Sequence, residues 1–149
     1  MIEGMHGHAR GVLIGKNDEQ LVPFFHIQFK DRPDAIIPAP WRDERDKSHY
    51  IRAIRMSLKE CKPSVVNYAF LSEAWLANYD RKPGPKDLTP SQRETRRECV
   101  VVSAGDHHGA KMKVWEIVRD HQARVIDLVE EKAETDHFEG RLHNLLAED

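Results

Sequence analysis

The clearest periodicity in the chain runs from Asp43 to Lys62. Ile51, Ile54, Leu58 and Cys61 recur at i, i+3, i+7 and i+10, flanked by Tyr50. This spacing predicts a helix with one buried stripe and Lys and Arg on its other face. Asp43, Glu44 and Asp46 suit its positive N-terminal end, and Pro63 closes it. Next comes "SVVNYAFLSEAWLANY", Ser64 to Tyr79, which reads as the strongest strand. Val66, Tyr68, Phe70, Ser72 and Ala74 would share one face. Val65, Asn67, Ala69, Leu71, Glu73 and Trp75 would share the other. Both faces are largely apolar, so this strand belongs at the centre of a sheet covered on both sides.

Weaker patterns fill in the rest. Leu21 to Phe29 is rich in β-formers, with Pro23 placing its start near an edge. The turn signal Lys30 to Asp34 and the short strand Ala35 to Pro40 complete a hairpin. Glu98 to Ala104, Lys111 to Arg119 and Arg124 to Val129 read as a three-strand meander. In Glu3 to Lys16, Met5, Ala9, Val12 and Leu13 fall at helical spacing, but Gly4, Gly7, Gly11 and Gly15 each weaken the helix. A helix is also expected over Asp136 to Asp149, where Phe138, Leu142, Leu145 and Leu146 share a face. The stretch 80–97 is a long Pro-rich connection. In it Thr89-Pro90-Ser91-Gln92 fits a capping box opening a short helix to about Arg96.

These elements predict a single α+β domain over 1–149: an antiparallel sheet of five or six strands, one long helix (about 43–62) packed on it, and shorter terminal helices. The long helix covers one sheet face. The other needs a second cover, from the terminal segments or from a second copy of the chain, so a homodimer is expected.

Composition narrows the function classes. The chain has 149 residues, 40% hydrophobic and 32% charged, with a net charge of −2. No global field draws it to nucleic acid or to an anionic membrane. Charge is uneven locally, at +4 over 81–97 and −6 from Asp127 onward. Each reads as a solvated segment, or as one half of a head-to-tail charge pairing. Cys61 and Cys99 form no C-x-x-C and sit among apolar residues, which suits small buried hydrophobes in a reducing cytoplasm. No signal-peptide h-region opens the chain, and no apolar run nears the ~18 residues of a membrane span. A cytoplasmic protein with no membrane partner is expected.

The chemistry-bearing motifs are few. No P-loop, dinucleotide fingerprint, H-E-x-x-H, nucleophile elbow or zinc-type Cys pairing is present, and no cofactor is implied. Asp106-His107-His108 resembles the D-H-H signature of a metal-dependent phosphoesterase family over three residues. The further Asp-rich motifs that such enzymes carry upstream have no counterpart here. A turn explains the string better: Asp106 at the first position, Gly109 at the fourth and a bulge at Gly109 would pair Asp106 with Ala110, Val102 with Val114 and Val101 with Trp115. His107 and His108 would then face water. His6-x-His8 offers two ligands, too few for a metal, and His26 reads as an ordinary strand histidine.

Glu73 is the polar residue most out of place, with apolar neighbours in its strand and Trp75 two positions on. A buried carboxylate needs a partner or a proton. Three roles stay open: an ion pair with Arg97 or Arg96, a ligand-binding carboxylate, or a general acid or base. The candidate cluster is Glu73, Trp75, Tyr68, Arg96, Arg97 and Glu98. "FLSEAW", a Pro-rich loop and "RRECVVVSA" together resemble a group of small, uncharacterised bacterial and prophage-encoded proteins with a Ser-Glu-Ala-Trp strand before an Arg-x-Glu strand. The matching positions are Ser72, Glu73, Ala74, Trp75, Arg96 and Glu98, and the likeness extends from about Leu21 to Val129. It implies a shared fold and no activity. The expected function is a non-enzymatic binding or interaction module. The alternatives are a small hydrolase or ligand-binding enzyme around Glu73, and a weak nucleic-acid contact through the basic 81–97 stretch.

Overall fold

The strand around Phe70 lies in the middle of the sheet, as its two apolar faces require. A computed structural model describes residues 1–76 and 96–132. The short helix expected at 90–96 (Arg96 apart), the helix expected at 136–149 and the last residues of the Ser64–Tyr79 strand lie outside them. In chain order the elements are α1 (Ile2–Leu13), β1 (Phe24–Phe29), β2 (Ala35–Pro38), α2 (Glu44–Cys61), a 3₁₀ turn (Lys62–Ser64), β3 (Val65–Leu76), β4 (Arg97–Asp106), β5 (Gly109–Arg119) and β6 (Val125–Glu130). The six strands form one antiparallel sheet, ordered β2-β1-β3-β4-β5-β6.

Each face of the sheet has its own core. On one, Phe25, Ile27, Val65, Tyr68 and Phe70 pack with Ala39 and with Ile54 and Leu58 of α2. Phe70 is the centre of an aromatic group, with ring centroids 4.5 Å from Phe25 and 5.5 Å from Trp41. The helix starts where its sequence signals: Asp43 accepts a hydrogen bond from the Asp46 amide at 2.8 Å, closing the first turn. On the opposite face, Ala69, Leu71, Val100, Val102, Trp115, Ile117, Val125 and Leu128 pack with Leu21 and with Met5, Ala9 and Leu13 of α1. The N-terminal segment is thus the second cover that the sheet needs.

α1 forms in spite of its glycines because burial of one face outweighs propensity. Met5, Ala9 and Leu13, at i, i+4 and i+8, are buried. Gly4, Gly7 and Gly11 face open space. Gly7→Ala and Gly11→Ala should therefore each raise stability by about 0.5–1 kcal/mol in urea melts. Gly15 behaves differently. Its φ is +80° and its amide donates to the Val125 carbonyl at 2.8 Å, while the Val125 amide donates to Lys16 at 2.8 Å. This strap covers the start of the β6 edge, and Gly15→Ala should cost about 1 kcal/mol in the same assay.

Two registers differ from expectation. Between Gln28 and Phe29 the β1–β3 pairing shifts, so that Val66 is the extra residue and is left exposed. The bulge turns Val65 into the α2 core beside Tyr68, not to the face of Asn67 and Ala69. The β4–β5 hairpin is one residue out of the expected register: Asp106 pairs with Gly109, Val102 with Lys113 and Val100 with Trp115. The cause is the Asp106 carboxylate. Its Oδ1 accepts from the amides of His108 (2.7 Å) and Gly109 (3.2 Å), which closes a two-residue turn with no bulge. Side chains alternate along a strand, so this register sets Trp115 on the α1 face with Val100.

Candidate functional site

The residues of the predicted cluster divide between the two faces. Glu73 lies across from Val100 and Trp75 across from Glu98, all on the α1 face. Tyr68 and Arg97 belong to the α2 face: Tyr68 is buried there in the core, while Arg97 donates to Glu116 at 2.6 Å and also binds Glu131. The Arg96 guanidinium sits over the Trp75 ring, 4.7 Å from its centroid. Neither arginine is the hydrogen-bond partner of Glu73.

Glu73 instead accepts from the backbone amide of Leu21 at 2.7 Å, in the segment leading into β1. Glu98 is held by Arg119 Nε at 2.6 Å. Burial raises the Glu73 pKa above its ordinary 4.5; the Leu21 amide and Arg119 pull it down, and the Glu98 charge adds to the rise. An acid whose folded-state pKa is raised binds its proton more tightly when folded. Its contribution to stability is therefore lost as pH rises from 4.5 through the raised value. Glu73→Gln keeps an acceptor for Leu21 and removes that loss. It should unfold within about 1 kcal/mol of the wild type at pH 7, and its stability should be the flatter of the two between pH 4 and 7. A loss of several kcal/mol, as breaking a sealed ion pair would cause, would contradict this placement.

The histidines are held by packing and turn chemistry. The His107 ring is hydrogen-bonded to the Val65 carbonyl at 2.7 Å, so it pins the hairpin tip to the start of β3 and does not simply face water. Asp106, bonded by the His108 and Gly109 amides, stays below the usual carboxylate pKa. The His6 ring stacks on Trp115 with centroids 4.5 Å apart, while His8 meets the edge of Phe24 at 5.3 Å, so the two do not converge. His26 pairs with Asp34 at 2.8 Å. Cys99 is buried, donates to the Ala74 carbonyl at 3.3 Å, and has its pKa pushed up to about 11 by burial. Among the described residues no group of three or more His, Cys, Asp or Glu is placed to hold a metal ion, and no helix is long and apolar enough to cross a membrane.

A site that the sequence did not suggest lies at the hairpin end of the sheet. The first turn of α1 passes over the α1 face of β3, β4 and β5 and leaves an open cleft of about 700 Å³. Ile2, Glu3, Asn67, Ala104, His108 and Lys111 are among the residues that line it. Ala104 lies between Ala69 and Lys111 in the cross-strand row, so a larger side chain at that lining position would take up part of the cleft. A sequence signal existed only in that alanine at the end of the "CVVVSA" run.

No family model, curated protein or solved structure matches the chain.

Proposed function

We propose that the protein is a non-enzymatic binding module that takes a small ligand in the cleft between α1 and the β4–β5 hairpin. The observation that carries this reading is the cleft itself. Its volume of about 700 Å³ is that of a small-molecule site. Apolar and polar side chains from an N-terminal helix and three strands meet there. Saturation-transfer NMR with a fragment library tests it. Hits should be found for the wild type and lost in Ala104→Leu, which enlarges a side chain that lines the cleft. Hits that persist in Ala104→Leu would place binding elsewhere.

A specific observation favours a second reading, an enzyme centred on Glu73. A half-buried carboxylate of raised pKa beside an ion-paired one is the kind of divergence that separates an acid from a base. Hydrolysis of a model ester that vanishes in Glu73→Gln would support it. The basic 81–97 stretch supports a nucleic-acid contact by charge alone.

A cytoplasmic homodimer belongs to the same proposal. With α1 over the second face, the exposed large apolar side chains among the described residues include Ile36, Met56 and Val22 as well as Ile126 and Val129 of β6, each about half exposed or more. Light scattering at micromolar concentration distinguishes dimer from monomer. The resemblance to prophage-encoded proteins is compatible with this and adds no activity.

A further inference from the structure

We infer that residues 136–149 dock on the α2 side of β3 to β6 and complete the core there; the inference is independent of the cleft. That side of the sheet continues past the residues that α2 covers. Ser72, Val101 and Val114 form one cross-strand row on it, and Ala74, Cys99, Glu116 and Val129 form the next. The end of α2 leads into the start of β3, so the turn before Ile54, which carries Ile51, extends toward these rows. Ile51, Cys99 and Val114 are only 4%, 1% and 6% exposed, yet neither core described above includes them. Apolar side chains this buried need a full set of neighbours. Their burial holds within one chain, so a second copy is not what supplies it. Val129, at the margin of the same face, is 48% exposed.

The sequence and the path of the chain select the occupant. Outside the described residues lie 77–95 and 133–149. The first stretch carries Pro83, Pro85 and Pro90, and its apolar side chains besides proline are Ala77, Tyr79 and Leu88, which form no helical stripe. The second carries Phe138, Leu142, Leu145 and Leu146 at i, i+4, i+7 and i+8, a single apolar stripe. The chain also leaves β6 on the correct side. Glu131 continues the alternation of Val129, its amide donates to the Val114 carbonyl at 2.9 Å, and its carboxylate binds Arg97 on the α2 face. Residues 132–135 then give room for a reversal over the sheet. As a helix, the 14 residues 136–149 would span about 21 Å, enough to cross the roughly 14 Å from β6 to β3.

The test is a methyl-resolved nuclear Overhauser experiment on the full chain. The methyls of Val101 and Val114 should show contacts to Leu142, Leu145 or Leu146, and these contacts should be absent between chains in an isotope-filtered mixture of labelled and unlabelled protein. Thiol chemistry gives a second readout, with Cys61→Ser as background so that Cys99 is the only thiol. There, Leu142→Asp with Leu145→Asp should speed alkylation of Cys99 by about tenfold or more, because the cover over it opens more often. The amide shifts of α1 and β1 should stay in place. Contacts from Val114 to Tyr79 or Leu88 would overturn the inference in favour of 77–95, and contacts found only between chains would overturn it in favour of a second copy. Unchanged Cys99 alkylation in a folded double variant would also overturn it. If the double variant does not fold, the methyl contacts of the intact chain decide.

Discussion

Phe70→Ala should lower the unfolding free energy by about 3–5 kcal/mol, as read from the urea midpoint at unchanged slope. Phe70 is 1% exposed on the central strand, and its ring touches Phe25 and Trp41 from two other parts of the chain. Removing it empties a volume that cannot collapse cheaply. Phe25 is fixed by pairing on two sides, to β2 and to β3, and α2 is fixed by its own Ile54 and Leu58. The near-ultraviolet signal of Trp41 should change with the substitution, because Phe70 is its ring neighbour. Phe70→Leu should retain a large share of the stability. A loss under about 1 kcal/mol for the alanine variant would mean that the core between α2 and the sheet is not packed as described.

The second large effect comes from adding atoms. Gly105→Ala should cost about 2–3 kcal/mol, near the top of the range for overpacking. A Cβ at Gly105 would lie 2.8 Å from Tyr68 Oη and 2.9 Å from its Cε1, with the Gly109 carbonyl oxygen at 3.0 Å. Tyr68 is fully buried and cannot swing into solvent, and the third contact is backbone. Tyr68 and Gly105 are cross-strand partners, and the aromatic ring occupies the space that the glycine leaves. A double-mutant cycle makes the cause specific. With Tyr68→Phe the closest contact atom is gone, so the cost of Gly105→Ala should fall and the two changes should be less than additive. Strict additivity would show that the ring is not what the new methyl meets.

What could be read from the sequence followed from local periodicity. The stripe of Ile51, Ile54 and Leu58 and the cap at Asp43 specify α2 almost to the residue. The doubly apolar run from Val65 places β3 at the centre. The β1–β2 hairpin and the meander also follow from alternation and turn residues. Other features came from interactions that no residue pattern announces. One carboxylate, Asp106, moved the β4–β5 register by a residue by satisfying two turn amides. Glu73 found a backbone amide 52 positions away in sequence, and any residue but proline could have supplied it. Arg97, the natural guess as its partner, lies on the other sheet face, since adjacent residues of a strand point to opposite sides. The cleft was hidden for a related reason. It exists where the start of α1 overhangs the end of the sheet, and only the packing of Met5, Ala9 and Leu13 sets that overhang.

Site and fold are linked through α1, which both covers the second face and walls the cleft. Amide shifts on adding a mixed fragment pool to the ¹⁵N-labelled chain test the location of binding most directly. Binding in the cleft predicts shifts at Asn67, Gly105 and Lys111 with Ser72 to Trp75 unmoved. Shifts confined to Glu73, Trp75 and Glu98 would contradict it and put the site at the carboxylate pair.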